Sequence, residues 1–168
     1  MRVAVTGTPG TGKTTATDLV ESDLEPVHLN EVIREEGLAT GRDEERDSLV
    51  ADIAAVADWL GDRDDLLIDS HLAHRLNVDR VVVLRCHPDE LERRLIERGE
   101  PPAKAEENAE SEALDVVLAE AVEHHGEDSV YEVDATERDP KGNAREIERV
   151  IGGEREPSAG TVSFVEYI

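Results

Sequence analysis

The strongest constraint on the fold of this chain is the segment at residues 7–14, whose sequence GTPGTGKT matches the pattern G-x4-G-K-[ST]. The β-branched run at residues 2–6 predicts a strand before it, and a helix is predicted from Lys13 to about residue 21. In this context the backbone N–H groups of the loop and the positive end of the helix dipole can bind phosphate oxygens. Lys13 can reach the β- and γ-phosphates, and the Thr14 hydroxyl can bind Mg2+. The segment therefore predicts a nucleotide-binding site.

Beyond the loop, predicted strands and helices alternate along the chain. Continuous apolar runs at residues 66–69 (LLID) and 80–84 (RVVVL) have the pattern of buried parallel strands, and shorter strands are predicted at 27–29 and 129–133. Helices are predicted at residues 30–36, 49–60, 88–99, 101–124 and 140–151. Residues 38–47 are polar and contain glycine, which predicts a loop. This alternation indicates an α/β fold with a parallel, doubly wound sheet.

The length of 168 residues predicts one domain, 1–168, with a buried core of its own. Residues 154–168 are harder to assign than the rest, because they show no clear period. Within them, residues 161–168 could form either an added edge strand or a docked tail. The sequence leaves both alternatives open.

Two polar residues follow the predicted strand at 66–69. Asp69 ends this strand, and an acid at the carboxyl end of a parallel strand lies on the ligand-binding side of the sheet. At this position Asp69 can help to hold Mg2+. The alternative is that its side chain caps the N-terminus of the next segment. His71 would face the same phosphates, or lie on the surface as histidines in such loops more often do.

A run of arginines marks the end of the helix predicted at 88–99. Arg98 precedes Gly99 and two prolines, at a place where a lid would hinge over the migrating phosphoryl group. Arg93 and Arg94 are expected instead to pair with acids one helical turn away. Of the three arginines, Arg98 is therefore the candidate for phosphoryl transfer.

The net charge of the chain excludes two classes of binding partner. The chain has 41 Asp and Glu against 18 Lys and Arg, a formal net charge of −23, so neither bare nucleic acid nor an anionic membrane is a suitable partner. The single cysteine, Cys86, excludes a disulfide framework and a site of several thiolates. Aromatic residues make up 2% of the chain, too few for a base-stacking surface.

The acidic residues are interleaved with apolar residues along the chain and do not form blocks. This pattern favours a folded, halophilic protein with a hydrated surface in a salt-rich cytoplasm, and an ordinary acidic protein is the alternative.

Four sequence blocks, read together, resemble a known family. They are GTPGTGKTT at residues 7–15, REEGLATGRDEERD at 34–47, IDSH at 68–71 and VLRCHPDELERRLIERG at 83–99. A looser block consists of Lys104, Asn108 and Glu112 at intervals of four residues. On these blocks the chain resembles the archaeal adenylate kinases of the adenylate kinase isoenzyme six type, which are nucleotide kinases of ribosome biogenesis.

The resemblance implies a P-loop fold like that of nucleoside monophosphate (NMP) kinases: α/β, with a five-stranded parallel sheet flanked by helices. It also implies a monophosphate-binding arm at about residues 28–51 and a short lid at about residues 97–107. Residues 154–168 match no element of the family.

By the same resemblance, the candidate site residues take particular roles. Arg34 would hold the phosphate of AMP, and Arg98 would be the lid arginine on ATP. His71 would match a histidine that the family ties to ATP hydrolysis. Thr14 and Asp69 would organise Mg2+, with Asp69 acting through water. The residues that would bind the ATP phosphates are Gly10, Gly12, Lys13, Thr14 and Thr15.

Two functions from different classes follow. In the first, the protein transfers the γ-phosphoryl group of ATP to AMP and forms two ADP, with ATP hydrolysis as a further activity. In the second, it is an ATP-dependent assembly factor whose partner is a small-subunit ribosomal protein, and AMP phosphorylation is secondary. A kinase acting on another small metabolite is a third alternative. None of these requires sequence-specific binding of nucleic acid or a membrane.

Overall fold

The alternation predicted from the sequence is present in the structure, a computed structural model that describes residues 1–45 and 48–168. The strands are β1 (Arg2–Thr6), β2 (Glu25–His28), β3 (Ala39–Asp43), β4 (Ser48–Ala51), β5 (Leu66–Asp69), β6 (Arg80–Arg85) and β7 (Val130–Asp134). The helices are α1 (Lys13–Thr17), α2 (Leu29–Glu36), α3 (Ile53–Leu60), α4 (Pro88–Glu97), α5 (Pro102–Ala113), α6 (Val116–His125) and α7 (Pro140–Ile151). Within the described ranges, no helix has the length and apolar character needed to cross a membrane.

Five of these strands form one parallel sheet in the order β2-β5-β1-β6-β7. The central strand β1 is covered on both faces, and its residues Val3, Ala4 and Val5 are fully buried. Burial on both faces explains why the inner strands β1, β5 and β6 are continuous apolar runs rather than alternating patterns. The prediction of an α/β fold with a five-stranded parallel sheet flanked by helices is confirmed.

Alternate residues of β1 point into two different cores. Ala4 packs in the core that α2, α3 and α6 complete, whereas Val3 and Val5 pack in the core under α1 and α7. A third, smaller core joins α4 to α5 around Leu91 and Leu95. The third core supports the two helices that follow β6, close to the loop at residues 7–12.

The prediction of a loop at residues 38–47 is wrong for half of its length. Residues 39–43 form β3, which pairs with β4 in an antiparallel hairpin. Arg46 and Asp47 lie outside the described residues. No residue of either strand is buried, and Leu49 and Val50 are exposed. The hairpin therefore depends on backbone hydrogen bonds between its strands, and burial imposes no alternating apolar pattern on its sequence.

The helix predicted to include Leu49 begins later in the structure. Leu49 lies in β4, and α3 begins at Ile53. The carboxylate of Asp52 accepts a hydrogen bond from the backbone N–H of Ala55 at 3.1 Å, which fixes the first turn of the helix. Leu49 matches the helical spacing of α3 by coincidence, because it lies before the N-cap.

The prediction of a single helix at 101–124 is wrong, because the structure has two helices in this range, α5 and α6. α5 ends at Ala113, and Asp115 adopts a φ angle of 56°. Arg85 Nη2 donates to the carbonyl oxygen of Glu112 at 3.1 Å and to the carboxylate of Asp115 at 2.5 Å. The buried side chain of Arg85 on β6 therefore binds the C-terminal end of α5. No sequence pattern within the helix itself indicates the break that follows.

Residues 154–168 form a docked tail, and the edge-strand alternative is wrong. The backbone N–H groups of Thr161 and Val162 donate to the carboxylate of Glu132 on β7, at 2.7 and 3.0 Å. The guanidinium carbon of Arg85 lies 5.4 Å from the centre of the Phe164 ring. Glu132 is 2% exposed, so the tail backbone takes the place of water around a buried carboxylate.

Candidate active site

The loop between β1 and α1 takes its shape from its glycines. Gly10 and Gly12 have φ angles of 94° and 93°, which L side chains rarely adopt. A Cβ atom on Gly10 would also come within 2.9 Å of side-chain atoms of Leu91 and Leu95. Thr15 is exposed in the first turn of α1. The loop is therefore held between the N-terminus of α1 and the apolar face of α4.

Lys13 folds back onto the loop. Its Nζ donates to the carbonyl oxygen of Gly7 at 2.9 Å and to that of Thr8 at 3.1 Å. Burial lowers the pKa of Lys13 to about 8, although the negative charge of Asp69 opposes this shift. An ammonium held by neutral carbonyls can turn to a phosphate, which is a stronger acceptor.

The pKa of Lys13 predicts how nucleotide turnover depends on pH. We expect kcat/KM for ATP, which reports groups of the free protein, to fall as pH rises through about 8, because Lys13 then loses its charge. Bound phosphates raise the pKa of the ammonium, so kcat at saturating ATP should persist to higher pH. Initial rates of ADP formation between about pH 6 and about pH 10 measure both constants. Alkaline limbs at the same pH for kcat and kcat/KM would contradict this role of Lys13.

Asp69 lies at the carboxyl end of β5 and is 3% exposed. Its Oδ2 accepts hydrogen bonds from the Thr17 hydroxyl at 2.7 Å and from Nδ1 of His28 at 3.0 Å. Burial of the His28 ring opposes its positive charge, but the hydrogen bond to Asp69 and the charge of Asp18 outweigh burial, so the pKa of His28 is raised. No pattern in the sequence indicates a role for His28, because its contact with Asp69 arises from the β2–β5 register, which pairs the two residues.

Oxygen atoms suited to a divalent cation lie beside the loop. Thr14 is exposed on α1, and its hydroxyl makes no hydrogen bond with any described residue. Thr17, one turn further along α1, contacts Asp69, so Thr14 faces the same side of the site. In the described part of the chain, no group of three or more His, Cys, Asp or Glu side chains could hold a metal ion. A hydroxyl and a carboxylate nevertheless fit Mg2+, which takes most of its ligands from water and phosphate.

His71 lies two residues beyond Asp69 and lines the cleft in front of the loop. Burial, and then the positive charges of Lys13 and Arg75, lower the pKa of His71 to about 4. The ring is therefore neutral at pH 7. It makes no hydrogen bond with the residues that the structure describes, so both ring nitrogens are available to water or to a ligand.

The cleft has a volume of about 730 Å³. Its walls are formed by α2, the β3–β4 hairpin, the end of α4, α5 and the start of α6. Its charged lining consists of five basic side chains and three acidic ones, namely Arg34, Arg42, Arg75, Arg98 and Lys104 against Glu100, Glu107 and Glu120. In a chain of net charge −23 this is a local excess of positive charge. The cleft therefore suits an anionic ligand.

Two of these arginines are weakly paired. Arg34 is exposed on α2, and no acid among the described residues forms an ion pair with it. Arg98 is 58% exposed, and its ion pair with Glu100 is long, at 3.5 Å. Arg93 and Arg94 both contact Glu90, which confirms the prediction that they pair with acids one turn away.

Three further basic residues line the cleft without an individual role predicted from the sequence, namely Arg42, Arg75 and Lys104. Arg42 and Lys104 lie within the blocks that carry the family resemblance, and that is their only signal in the sequence. Arg75 follows His71 by four residues, but the chain between them is too irregular to predict where Arg75 points. The fold brings all three to the same cleft from separate elements.

The sheet and the loop together define a P-loop nucleotide-binding protein, and comparisons with known proteins agree. A family model described as "AAA domain" matches residues 3–115. Among solved structures, a sulfotransferase from Alicyclobacillus acidocaldarius aligns with a TM-score of 0.52 over 98% of this chain and 86% of that chain. At 12% identity, this likeness shows the fold alone.

Relatives define the family more narrowly. A protein of Natronomonas pharaonis named "Putative adenylate kinase" is 67% identical over 168 residues, which cover 100% of both chains. Proteins of the same name from Halobacterium salinarum and Methanosarcina acetivorans are 54% and 42% identical, covering 100% and 90% of this chain and 100% and 86% of theirs. The chain belongs to the family of these archaeal proteins. Its acidic composition fits the relatives from halophilic archaea.

Proposed function

We propose that the protein is an adenylate kinase that transfers the γ-phosphoryl group of ATP to AMP and forms two molecules of ADP. One observation carries the proposal: the cleft in front of the phosphate-binding loop is lined by Arg34 and Arg98, whose charges the described acids neutralise only weakly. An acceptor that is itself a phosphate needs cationic groups beyond those that bind ATP. The relatives named as adenylate kinases support this assignment.

In this proposal ATP lies on the loop, and its phosphates accept hydrogen bonds from Gly10, Gly12, Lys13, Thr14 and Thr15. Residues 28–51 form the arm in which Arg34 binds the AMP phosphate. Residues 97–107 form a short lid from which Arg98 reaches ATP. Closure of the arm and the lid excludes water, so that the γ-phosphoryl group passes in line to AMP.

Lys13 exchanges the carbonyl oxygens of the loop for phosphate oxygens when ATP binds. Together with Arg98 it neutralises the charge that develops on the migrating group. Thr14 would hold Mg2+ directly and Asp69 through water, and the bound ion would compensate part of the negative charge of the phosphates. No general base is required, because the acceptor phosphate is already an anion.

The dependence of ADP formation on AMP tests the proposal. With ATP and Mg2+, we expect two ADP for each ATP consumed when AMP is present and little ADP without it. The same assay with CMP, UMP and dAMP, across a KCl series, measures the acceptor preference. Faster turnover of CMP or UMP would overturn the assignment to AMP. Equal release of ADP with and without AMP would overturn the kinase proposal itself.

Arg34→Gln separates binding of the acceptor from binding of ATP. It is expected to raise KM for AMP about 10-fold or more, because a charged hydrogen bond to phosphate is lost, and to leave KM for ATP nearly unchanged. Arg145→Gln removes the same charge from the exposed face of α7 and is the matched control. Equal increases in both KM values for Arg34→Gln would contradict this position of AMP.

ATP hydrolysis is a second candidate activity, favoured by His71. A neutral ring that lines the cleft and has a pKa of about 4 can orient a water molecule. The family resemblance also implies a small-subunit ribosomal protein as partner, and the acidic surface would attract such a basic protein. Phosphate release that needs no AMP and rises when the ribosomal protein is added would favour the assembly function over the kinase.

A further inference from the structure

A buried ion-pair network lies behind the phosphate-binding loop, and the proposed phosphoryl transfer makes no use of it. Arg85, at the end of β6, is fully buried and contacts Glu112 at 3.2 Å, Asp115 at 2.5 Å and Glu132 at 2.7 Å. Glu112 on α5 is 2% exposed. Charged side chains are rarely buried to this extent unless several partners hold them.

Glu112 connects this network to the loop. Its Oε1 accepts hydrogen bonds from the Thr8 hydroxyl and from Nε of Arg85, both at 3.2 Å, and its Oε2 accepts one from the backbone N–H of Cys86 at 2.8 Å. Thr8 is 1% exposed, so water cannot easily replace Glu112 as its acceptor. The carbonyl oxygen of Thr8 accepts a hydrogen bond from Nζ of Lys13 at 3.1 Å. Thr8 therefore stands between Glu112 and the lysine that the proposed reaction needs.

We propose that Glu112 is a positioning residue for the phosphate-binding loop, which sets through the Thr8 hydroxyl the loop conformation that receives ATP. Because Glu112 lies near the C-terminal end of α5, whose first residues belong to the proposed lid, the same contact joins this helix to the loop. The inference rests on the proposed function as far as ATP binding is concerned, and it does not depend on the identity of the phosphoryl acceptor.

Glu112→Gln tests the proposal by equilibrium titration with a fluorescent ATP analogue. The variant leaves Arg85 paired with Asp115 and Glu132, so we expect it to fold. Affinity should fall about 10-fold at pH 7. Glu110→Gln makes the same change two residues earlier, at an exposed position of α5, and should leave the affinity unchanged. If the two variants bind with equal affinity, the proposal is wrong.

Thr8→Val tests the link itself and leaves the buried ion pairs intact. Loss of the hydroxyl should weaken binding of the analogue by a factor similar to that of Glu112→Gln, and Thr8→Ser should restore it. The double variant of Thr8→Val and Glu112→Gln should bind no more weakly than Glu112→Gln alone, because both changes break one connection. Additive losses would overturn the proposal. The measurement is ATP binding, so a failure to phosphorylate AMP would refute the proposed function and leave this result standing.

Discussion

Lys13→Met is expected to lower the rate of ADP formation from ATP and AMP by about 1,000-fold or more. Methionine keeps the apolar stem and removes the charge. In the structure Nζ of Lys13 donates to two carbonyl oxygens of the loop, that of Gly7 at 2.9 Å and that of Thr8 at 3.1 Å. A bound phosphate would replace these two acceptors. Without the charge of Lys13, the negative charge that develops during transfer loses its closest fixed cation. A coupled assay at saturating ATP and AMP measures the effect.

The chain offers a matched control for this change. It has three lysines, and Lys141 is exposed on α7, a helix whose residues do not line the cleft. Lys141→Met removes the same charge and should leave the rate unchanged. Thermal unfolding of both variants shows whether the fold persists. Substantial turnover by a folded Lys13→Met variant would refute phosphoryl transfer at this loop.

Arg85→Met is expected to lower the free energy of unfolding by about 3–5 kcal/mol. Methionine fills part of the arginine volume, but it leaves Glu112 and Glu132, each 2% exposed, without the positive charge that compensates them. The end of α5 also loses the donor that occupies the carbonyl oxygen of Glu112. Equilibrium unfolding in urea, at one fixed KCl concentration, measures the change.

Two comparisons separate the loss of a buried charge from the loss of any arginine. Arg149→Met breaks an ion pair with Glu146 in which Arg149 is 49% exposed, and it should cost less than about 1 kcal/mol. Adding Glu112→Gln and Glu132→Gln to Arg85→Met should recover part of the lost stability, because the unpaired charges are then gone. A cost for Arg85→Met no larger than that for Arg149→Met would mean that the network is not the buried one described.

Sequence patterns predicted those parts of the molecule that depend on neighbouring residues in the chain. The loop at residues 7–14 and the strand before it have an unmistakable pattern, and the apolar runs at 66–69 and 80–84 predicted the strands beside β1. The same reasoning placed Asp69 at the carboxyl edge of the sheet, where the structure has it. The functional roles of these residues remain predictions, and Lys13→Met tests that of Lys13.

The errors share a physical cause, which is dependence on distant partners. No residue of β3 or β4 is buried, so the pairing of these strands leaves no alternating apolar pattern to find. The break between α5 and α6 depends on Arg85, and the docking of the tail depends on Glu132. His28 reaches Asp69 through strand register alone. None of these contacts has a signal within a short window of sequence.

The sequence by itself determined the phosphate-binding loop, the α/β class and the strongly negative charge of this protein, because each is local or additive. Only the tertiary structure decided which basic side chains line the cleft and which acidic side chains are buried. Glu112 is one member of a loose spacing pattern in the sequence, and it acquires a place behind the loop through a hydrogen bond to Thr8, 104 positions away. Burial strengthens such a contact, and burial depends on how the whole chain packs.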